Sequence, residues 1–161
     1  MKINQDEIRR RFRDFGLKVT PQRAAIYQSL VETTSHPTAE DLYRHVVSLH
    51  PMISRNTVYY TLGALARVGL VREVNVWRDR AQFDGNMTPH HHFICLKCRR
   101  IEDFEDGALD RLQPAPGRRR GFQVTGHRVE FHGYCGACSR GRKQAAKSKP
   151  HPHRSPKRRA V

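Results

Sequence analysis

Nine residues carry most of the visible chemistry: His90-His-His-Phe-Ile-Cys-Leu-Lys-Cys98. Cys95 and Cys98 form one Cys-x-x-Cys pair, and Cys135 and Cys138 form a second. Four thiolates complete the tetrahedral shell of zinc and leave no open position, so such a site is structural. A redox dithiol and unligated buried cysteines are the other readings of these residues, and two spaced pairs favour zinc. The 36 residues between the pairs exceed the spacing of a small zinc ribbon. They must hold structure of their own.

The histidines have no place in a four-cysteine shell. In a strand, side chains alternate faces. His90 and His92 then point one way and His91 the other, so His90 and His92 can chelate one ion. Asp84 lies just before them and Asp103 lies five residues after Cys98. Two imidazoles with carboxylates suit a divalent transition metal, one of Fe, Mn, Zn, Co or Ni. A triple histidine can also be surface decoration.

The elements that must position these groups can be read along the chain. Ile8, Phe12 and Phe15 share one helical face, and Gly16 ends that helix. Thr20-Pro21 is an N-cap followed by proline at the first helical position, with Ala25, Ile26 and Leu30 as the apolar side. Thr38 caps a third helix, which Glu40 and Asp41 favour at its N-terminus; Leu42, Val46 and Leu49 form its stripe. A fourth helix opens at Ser54, carries Val58, Leu62 and Leu65 inward, and ends at Gly69. Val74 and Val76 then alternate with polar residues up to Arg78-Asp-Arg80, and 81–84 returns as the second arm of a hairpin. Further on, Phe122/Val124 and Val129/Phe131 alternate like strands, and 108–112 suits a short helix. Zinc would clip the last strand to the first.

Helices followed by a hairpin predict a winged helix-turn-helix whose last helix enters the major groove. With Val58, Leu62 and Leu65 inward, Arg55, Asn56 and Tyr59 face outward. Those types suit base edges, thymine methyls and phosphates, and they also suit a solvated helix face. Lys18 and Arg23 are weaker candidates of the same kind. The formal net charge is +15 over 161 residues, which points to a polyanionic partner, most simply double-stranded DNA. Residues 1–83 hold thirteen Lys/Arg against eight acids, 84–139 eight against seven, and 140–161 nine against none. Charge and metal chemistry are therefore segregated. The last segment is rich in Lys, Arg and Pro, is expected to be disordered, and would add salt-sensitive DNA affinity or remain a dispensable solvated tail. Arg118-Arg-Arg120 would be a further nonspecific phosphate contact of the same sort. No run approaches the ~18 apolar residues of a membrane span, and the N-terminus lacks an apolar signal core. The expected location is the cytoplasm, where thiols stay reduced.

The pieces LKVTPQRAAIYQSL, HPTAEDLY, SRNTVYYTLGALARVGLV, QFDGNMTPHHHFICLKCRRIEDF and HRVEFHGYCGAC, in this order and spacing, resemble the ferric uptake regulator family over about residues 5 to 139. The resemblance implies an α+β chain. It has a winged-helix DNA-binding domain at 1–83, a small α/β dimerisation domain with a four-cysteine zinc site at 84–139, and a basic tail at 140–161. It implies a homodimeric, metal-dependent repressor with no membrane partner, structural Zn2+ and a regulatory Fe2+ or Mn2+. Carried over by position, the regulatory site falls on His36, Asp84, His90, His92 and Asp103. One ion tied to both domains would fix their angle and thus the separation of two recognition helices in a dimer. Iron-sensing members usually have Glu at position 103 and peroxide-sensing members have Asp, so the resemblance leans to the peroxide-sensing branch. There, bound iron(II) reduces hydrogen peroxide, a ligand imidazole of His36 or His90 is oxidised, and DNA is released; Mn(II) would repress without sensing. The alternative is a metal-uptake regulator of the same family. A further site of some members maps to His91, Asp110 and His127. Pro89 stands where some iron regulators have another histidine, which puts that site in doubt. A zinc hydrolase is the competing class, but the chain has no HExxH and no Ser/His/Asp arrangement.

Overall fold

The computed structural model describes residues 3–77, 80–114 and 121–140. The expected basic tail past residue 140, the Arg118–Arg120 run and the hairpin tip at 78–79 lie outside the described residues. Four helices come first: α1 (Gln5–Asp14), α2 (Pro21–Val31), α3 (Ala39–Leu49) and α4 (Arg55–Arg67). Each starts at a side chain that satisfies an orphan N–H. Asn4 accepts from Glu7, Thr20 from Arg23 and Ser54 from Thr57. Thr38 accepts from Asp41, whose carboxylate accepts back from the Thr38 N–H, a complete capping box. The inward faces meet in one core built on Ile8, Phe12, Ile26, Tyr27, Leu30, Leu42, Val46, Val58, Leu62 and Leu65.

Two apolar positions leave the expected stripes. Phe15 is 48% exposed and Leu49 is 60% exposed. Both stand where their helix stops. After α1, Gly16 takes φ 67°, and Leu17 N–H bonds back to Phe12 O at 2.7 Å. This turn swings Leu17 onto the core in place of Phe15. After α3, Ile53 N–H bonds to His50 O and Ile53 becomes the buried residue. Gly69 closes α4 in the same manner as Gly16, with φ 77° and Leu70 bonded back to Leu65.

Strands β1 (Arg72–Trp77) and β2 (Arg80–Asp84) form the antiparallel hairpin. Gln82 of β2 also pairs with Thr38 as an isolated antiparallel bridge. Beyond the hairpin, β3 (His91–Cys95), β4 (Ile101–Phe104) and β5 (Glu130–Gly133) form a sheet in the order β4-β3-β5. β3 is antiparallel to β4 and parallel to β5. Two single turns, α5 (Gly107–Asp110) and α6 (Gly136–Ser139), complete the described elements. The expected strand at Phe122–Val124 does not form. The three-stranded sheet is built without it, and Phe122 is 77% exposed. Val74 of β1 packs with Ile94 and Ile101 in a second buried cluster that joins the hairpin to the sheet. Among the described residues, no helix is long and apolar enough to cross a membrane.

The two faces of α4 make a sharp contrast. Leu62 is 1% exposed and Tyr60 is 77% exposed. Leu62→Ala is expected to lower unfolding free energy by about 2–5 kcal/mol, and Tyr60→Ala to change it by no more than about 0.5 kcal/mol. Urea denaturation of both variants measures the pair, and comparable losses would show that the faces are misassigned.

Candidate metal centres and the exposed helix

The sheet register builds the first constellation. Asp103 of β4 lies directly opposite His92 of β3. His90 and His92 fall on one side, with their Nε2 atoms 2.9 Å apart. His36 arrives from the loop between α2 and α3, and Asp84 from the end of β2. His36 Nε2 stands 3.1 Å from Asp103 Oδ1 and 3.9 Å from Asp84 Oδ1. Asp84 Oδ2 is 3.1 Å from His90 Nε2 and 3.7 Å from His92 Nε2. Asp103 Oδ1 is 3.7 Å and 3.5 Å from the same two nitrogens. The three imidazoles and Asp84 are all buried, at 3% exposure or less.

Apart from the bond between His90 Nε2 and His92 Nε2, these groups leave one another largely unsatisfied. Both ring nitrogens of His36, Nδ1 of His92 and Oδ2 of Asp84 are buried without a hydrogen-bond partner among the described residues. His90 Nδ1 meets the Thr88 carbonyl at 2.7 Å. A carbonyl can only accept, so Nδ1 holds the proton and Nε2 offers a lone pair to the centre. An ion about 2.0–2.2 Å from each donor spaces its adjacent ligands at about 3.0–3.6 Å. Most of the separations above fall in or near that range. The donor set therefore fits a divalent transition metal, with nitrogen and oxygen in the mix that iron, manganese and zinc accept. Sequence alternation anticipated His90 and His92. Nothing local singled out His36, whose backbone sits at φ 48°, or the Thr88 carbonyl.

The four cysteines form a second constellation, with sulfurs within 4.8 Å of one another. Cys95 ends β3 and Cys98 lies in the following turn, while Cys135 and Cys138 lie just past β5. Sulfurs at the ~2.3 Å bonds of tetrahedral zinc sit about 3.8 Å apart; Cys98 Sγ and Cys135 Sγ are 3.7 Å apart. The Cys95 thiol is pushed down to about 6, chiefly by the backbone N–H of Cys98 and then that of Cys135. The Cys138 thiol is pushed up to about 12 by desolvation and its three sulfur neighbours. The thiols cannot all ionise together unless a cation joins them.

His91 points to the opposite face, 3.2 Å from Asp110, with its ring 6.2 Å from that of His127. Its Nδ1 accepts from the Val129 N–H, which leaves the proton on Nε2. His127 Nε2 meets the Leu109 carbonyl at 2.6 Å. The three residues are neighbours, but their nitrogen lone pairs do not converge.

On α4, Tyr59 is 54% exposed. Arg55 forms an ion pair with Glu40 and lies 4.7 Å over the Tyr43 ring. Asn56 borders an open concavity with Lys18, Arg23 and Tyr60. Arg23 donates to the Lys18 carbonyl at 3.1 Å. Tyr60, four residues from Asn56, shares its face.

The His92 imidazole titrates at about 3, held down first by burial and then by the nearby His36, Arg128, His90 and Arg72. An unfolded histidine binds its proton near ~6.5. Between those values the unfolded chain holds the extra proton, so stability falls as pH falls. The metal-free protein is expected to lose stability progressively from about pH 6.5 downward, and His92→Gln to flatten that slope. Urea midpoints against pH in chelator measure this, and equal slopes would remove His92 as a cause.

The ferric uptake regulator family model matches residues 14–132. The peroxide operon regulator of Bacillus subtilis is 37% identical over 128 residues, covering 80% of this chain and 88% of that protein. The peroxide-responsive repressor PerR of Staphylococcus epidermidis is 37% identical over 126 residues, covering 78% and 84%. The ferric uptake regulator of Pseudomonas aeruginosa, solved with manganese, is 27% identical with a TM-score of 0.68, covering 80% of this chain and 97% of that one. With the family model spanning the winged hairpin and the three-stranded sheet alike, the chain belongs to the ferric uptake regulator family.

Proposed function

We propose that this chain is a metal-dependent, DNA-binding repressor that senses hydrogen peroxide and then lets go of its operator. The observation that carries this reading is the convergence of His36 and Asp84 from the first half with His90, His92 and Asp103 from the second. A regulatory Fe2+ or Mn2+ held by these five residues would tie the halves together, and Cys95, Cys98, Cys135 and Cys138 would hold structural Zn2+. The proposed domains are 1–83, 84–139 and 140–161, and the first boundary falls at Asp84, which ends β2 and stands at the hinge between the halves. The basic tail would add sequence-independent DNA affinity.

Tyr59, Arg55 and Asn56 on α4, with Lys18 and Arg23 beside them, are the DNA-facing residues in this reading. Arg55 must exchange Glu40 for a phosphate or base edge when DNA arrives. The rings of Phe93, Phe104 and Phe131 stack together on one side of the sheet, with Phe93 49% and Phe131 45% exposed. Such an aromatic patch supports a homodimer. The four free thiols suit a reducing compartment, the cytoplasm. His91, Asp110 and His127 make a third site only if His91 gives up its Nε2 proton to a metal. The relatives are regulators, which supports a role without catalysis.

Peroxide sensing draws on Asp103 and on the relatives named for it. A cavity of about 290 Å³ opens onto His36, Asp84 and Asp103 past Thr33 and Thr34. It has room for a molecule as small as a peroxide, since a water occupies about 30 Å³. Iron(II) held by these residues would activate the peroxide: the imidazole of His36 or His90 gives up two electrons, one peroxide oxygen replaces the hydrogen on a ring carbon, and the other leaves as water. The modified imidazole is a poorer donor, and the tie between the halves loosens.

The second reading is a metal-uptake regulator, favoured by likeness to a zinc-bound manganese uptake regulator at 29% identity and TM-score 0.61. Protein purified without oxygen, loaded with Fe(II) and exposed to micromolar-range peroxide separates them. The expected result is one added oxygen on the peptide holding His36 or His90, loss of operator binding, and neither change in the Mn(II) form. Unmodified histidines with retained binding would reject peroxide sensing in favour of metal sensing.

A further inference from the structure

His36 brings its imidazole to the regulatory centre from a backbone conformation that its own chemistry disfavours. Its φ is 48°, in the left-handed region that non-glycine residues rarely adopt. The next residue is Pro37, whose ring pushes the preceding residue toward extended backbone. The His36 imidazole makes no hydrogen bond of its own among the described residues. Left to local preference, residue 36 would relax to extended and turn its ring away from Asp103.

One side chain opposes that relaxation. Gln82 Nε2 donates to the His36 carbonyl at 2.8 Å. The grip continues along the strand, where Phe83 N–H donates to the Pro37 carbonyl at 2.9 Å and Thr38 bridges to Gln82. Gln82 and Asp84 are two residues apart on β2 and share one of its faces. The same strand thus presents a ligand to the ion and holds the backbone of a second ligand. Strained conformations persist where surrounding contacts over-determine them.

We propose that Gln82 is a positioning residue for the regulatory metal: its side-chain amide holds His36 in the left-handed conformation that delivers the imidazole to the site. This rests on the reading that His36 and its neighbours bind a divalent metal. The bond acts at one remove from the ion, as do hydrogen bonds to ligand side chains elsewhere, whose loss typically costs about 10–100-fold in affinity.

Two variants of similar length without the donor test it, Gln82→Met and Gln82→Glu. Mn(II) affinity is measured on the full zinc-loaded chain, alongside zinc content and the melting temperature of the protein stripped of Mn(II). Both variants are expected to bind Mn(II) about 10–100-fold more weakly, with zinc content and melting temperature unchanged. The Glu variant is the sharper case, because an added negative charge alone would strengthen cation binding. Unchanged or tighter Mn(II) binding in either variant overturns the proposal. So does a weakening matched by lost zinc or a lowered melting temperature, which would make Gln82 a general structural residue. A wild-type chain that takes up no Mn(II) would instead sink the metal-binding reading, and the proposal with it, before any variant is compared.

Discussion

Three buried imidazoles and two carboxylates face one another with too few protons to pair them all, and the architecture depends on how that is resolved. Buried polar groups without partners are costly. Here they are gathered: both ring nitrogens of His36, Nδ1 of His92 and Oδ2 of Asp84 have no partner among the described residues. A divalent cation would accept these lone pairs at once, and would do so only while both halves of the chain contribute. His36 and Asp84 belong with the helices and the hairpin; His90, His92 and Asp103 belong with the sheet. Binding energy at this centre is therefore also energy of holding the halves in one relation. The apolar contact of Val74 with Ile94 and Ile101 is the second tie between them. It is small and carries no charge.

The two constellations divide the labour along one strand. β3 lies in the middle of its sheet, carries His91 and His92, and ends in Cys95. Its neighbours β4 and β5 bring Asp103 and lead to Cys135 and Cys138. A zinc ion on the four cysteines would lock the ends of β3 and β5 together, and the pairing of β3 with β4 would then hold His92 opposite Asp103 whether or not the second ion is present. His36 and Asp84 reach the centre from outside this sheet, from the α2–α3 loop and the end of β2.

How much of this could be read from residues alone follows from the range of each interaction. Cys-x-x-Cys spacing is a local property, and so is the period-2 alternation that puts His90 with His92 and His91 behind them. Caps at Thr20, Thr38 and Ser54 are local too, and the helices begin where those residues stand. Phe15 and Leu49 escape the periodic reading because a stripe says nothing about where the helix stops, and the turn after each supplies Leu17 or Ile53 instead. Phe122 and Val124 alternate correctly but form no strand, since alternation within a segment says nothing about the partner it would need. His36 is reached only through resemblance, because a histidine in a loop has no periodicity to betray it. Its place depends on Gln82, 46 residues away.

The opposite side of the sheet shows why neighbouring histidines need not share a role. His91 has the same residue type, burial and strand as His92, and an aspartate beside it. What differs is the proton. A backbone N–H from Val129 occupies its Nδ1 and so assigns the remaining hydrogen to Nε2, the atom that faces Asp110. His90 receives the reverse treatment, since the Thr88 carbonyl takes its Nδ1 proton and frees Nε2. A single main-chain group next to each ring, a donor in one case and an acceptor in the other, leaves a proton on the Nε2 of His91 and a lone pair on the Nε2 of His90, the atom that would suit a metal. Residue identity brings nitrogen to a site, and the backbone around it decides whether that nitrogen arrives with a lone pair.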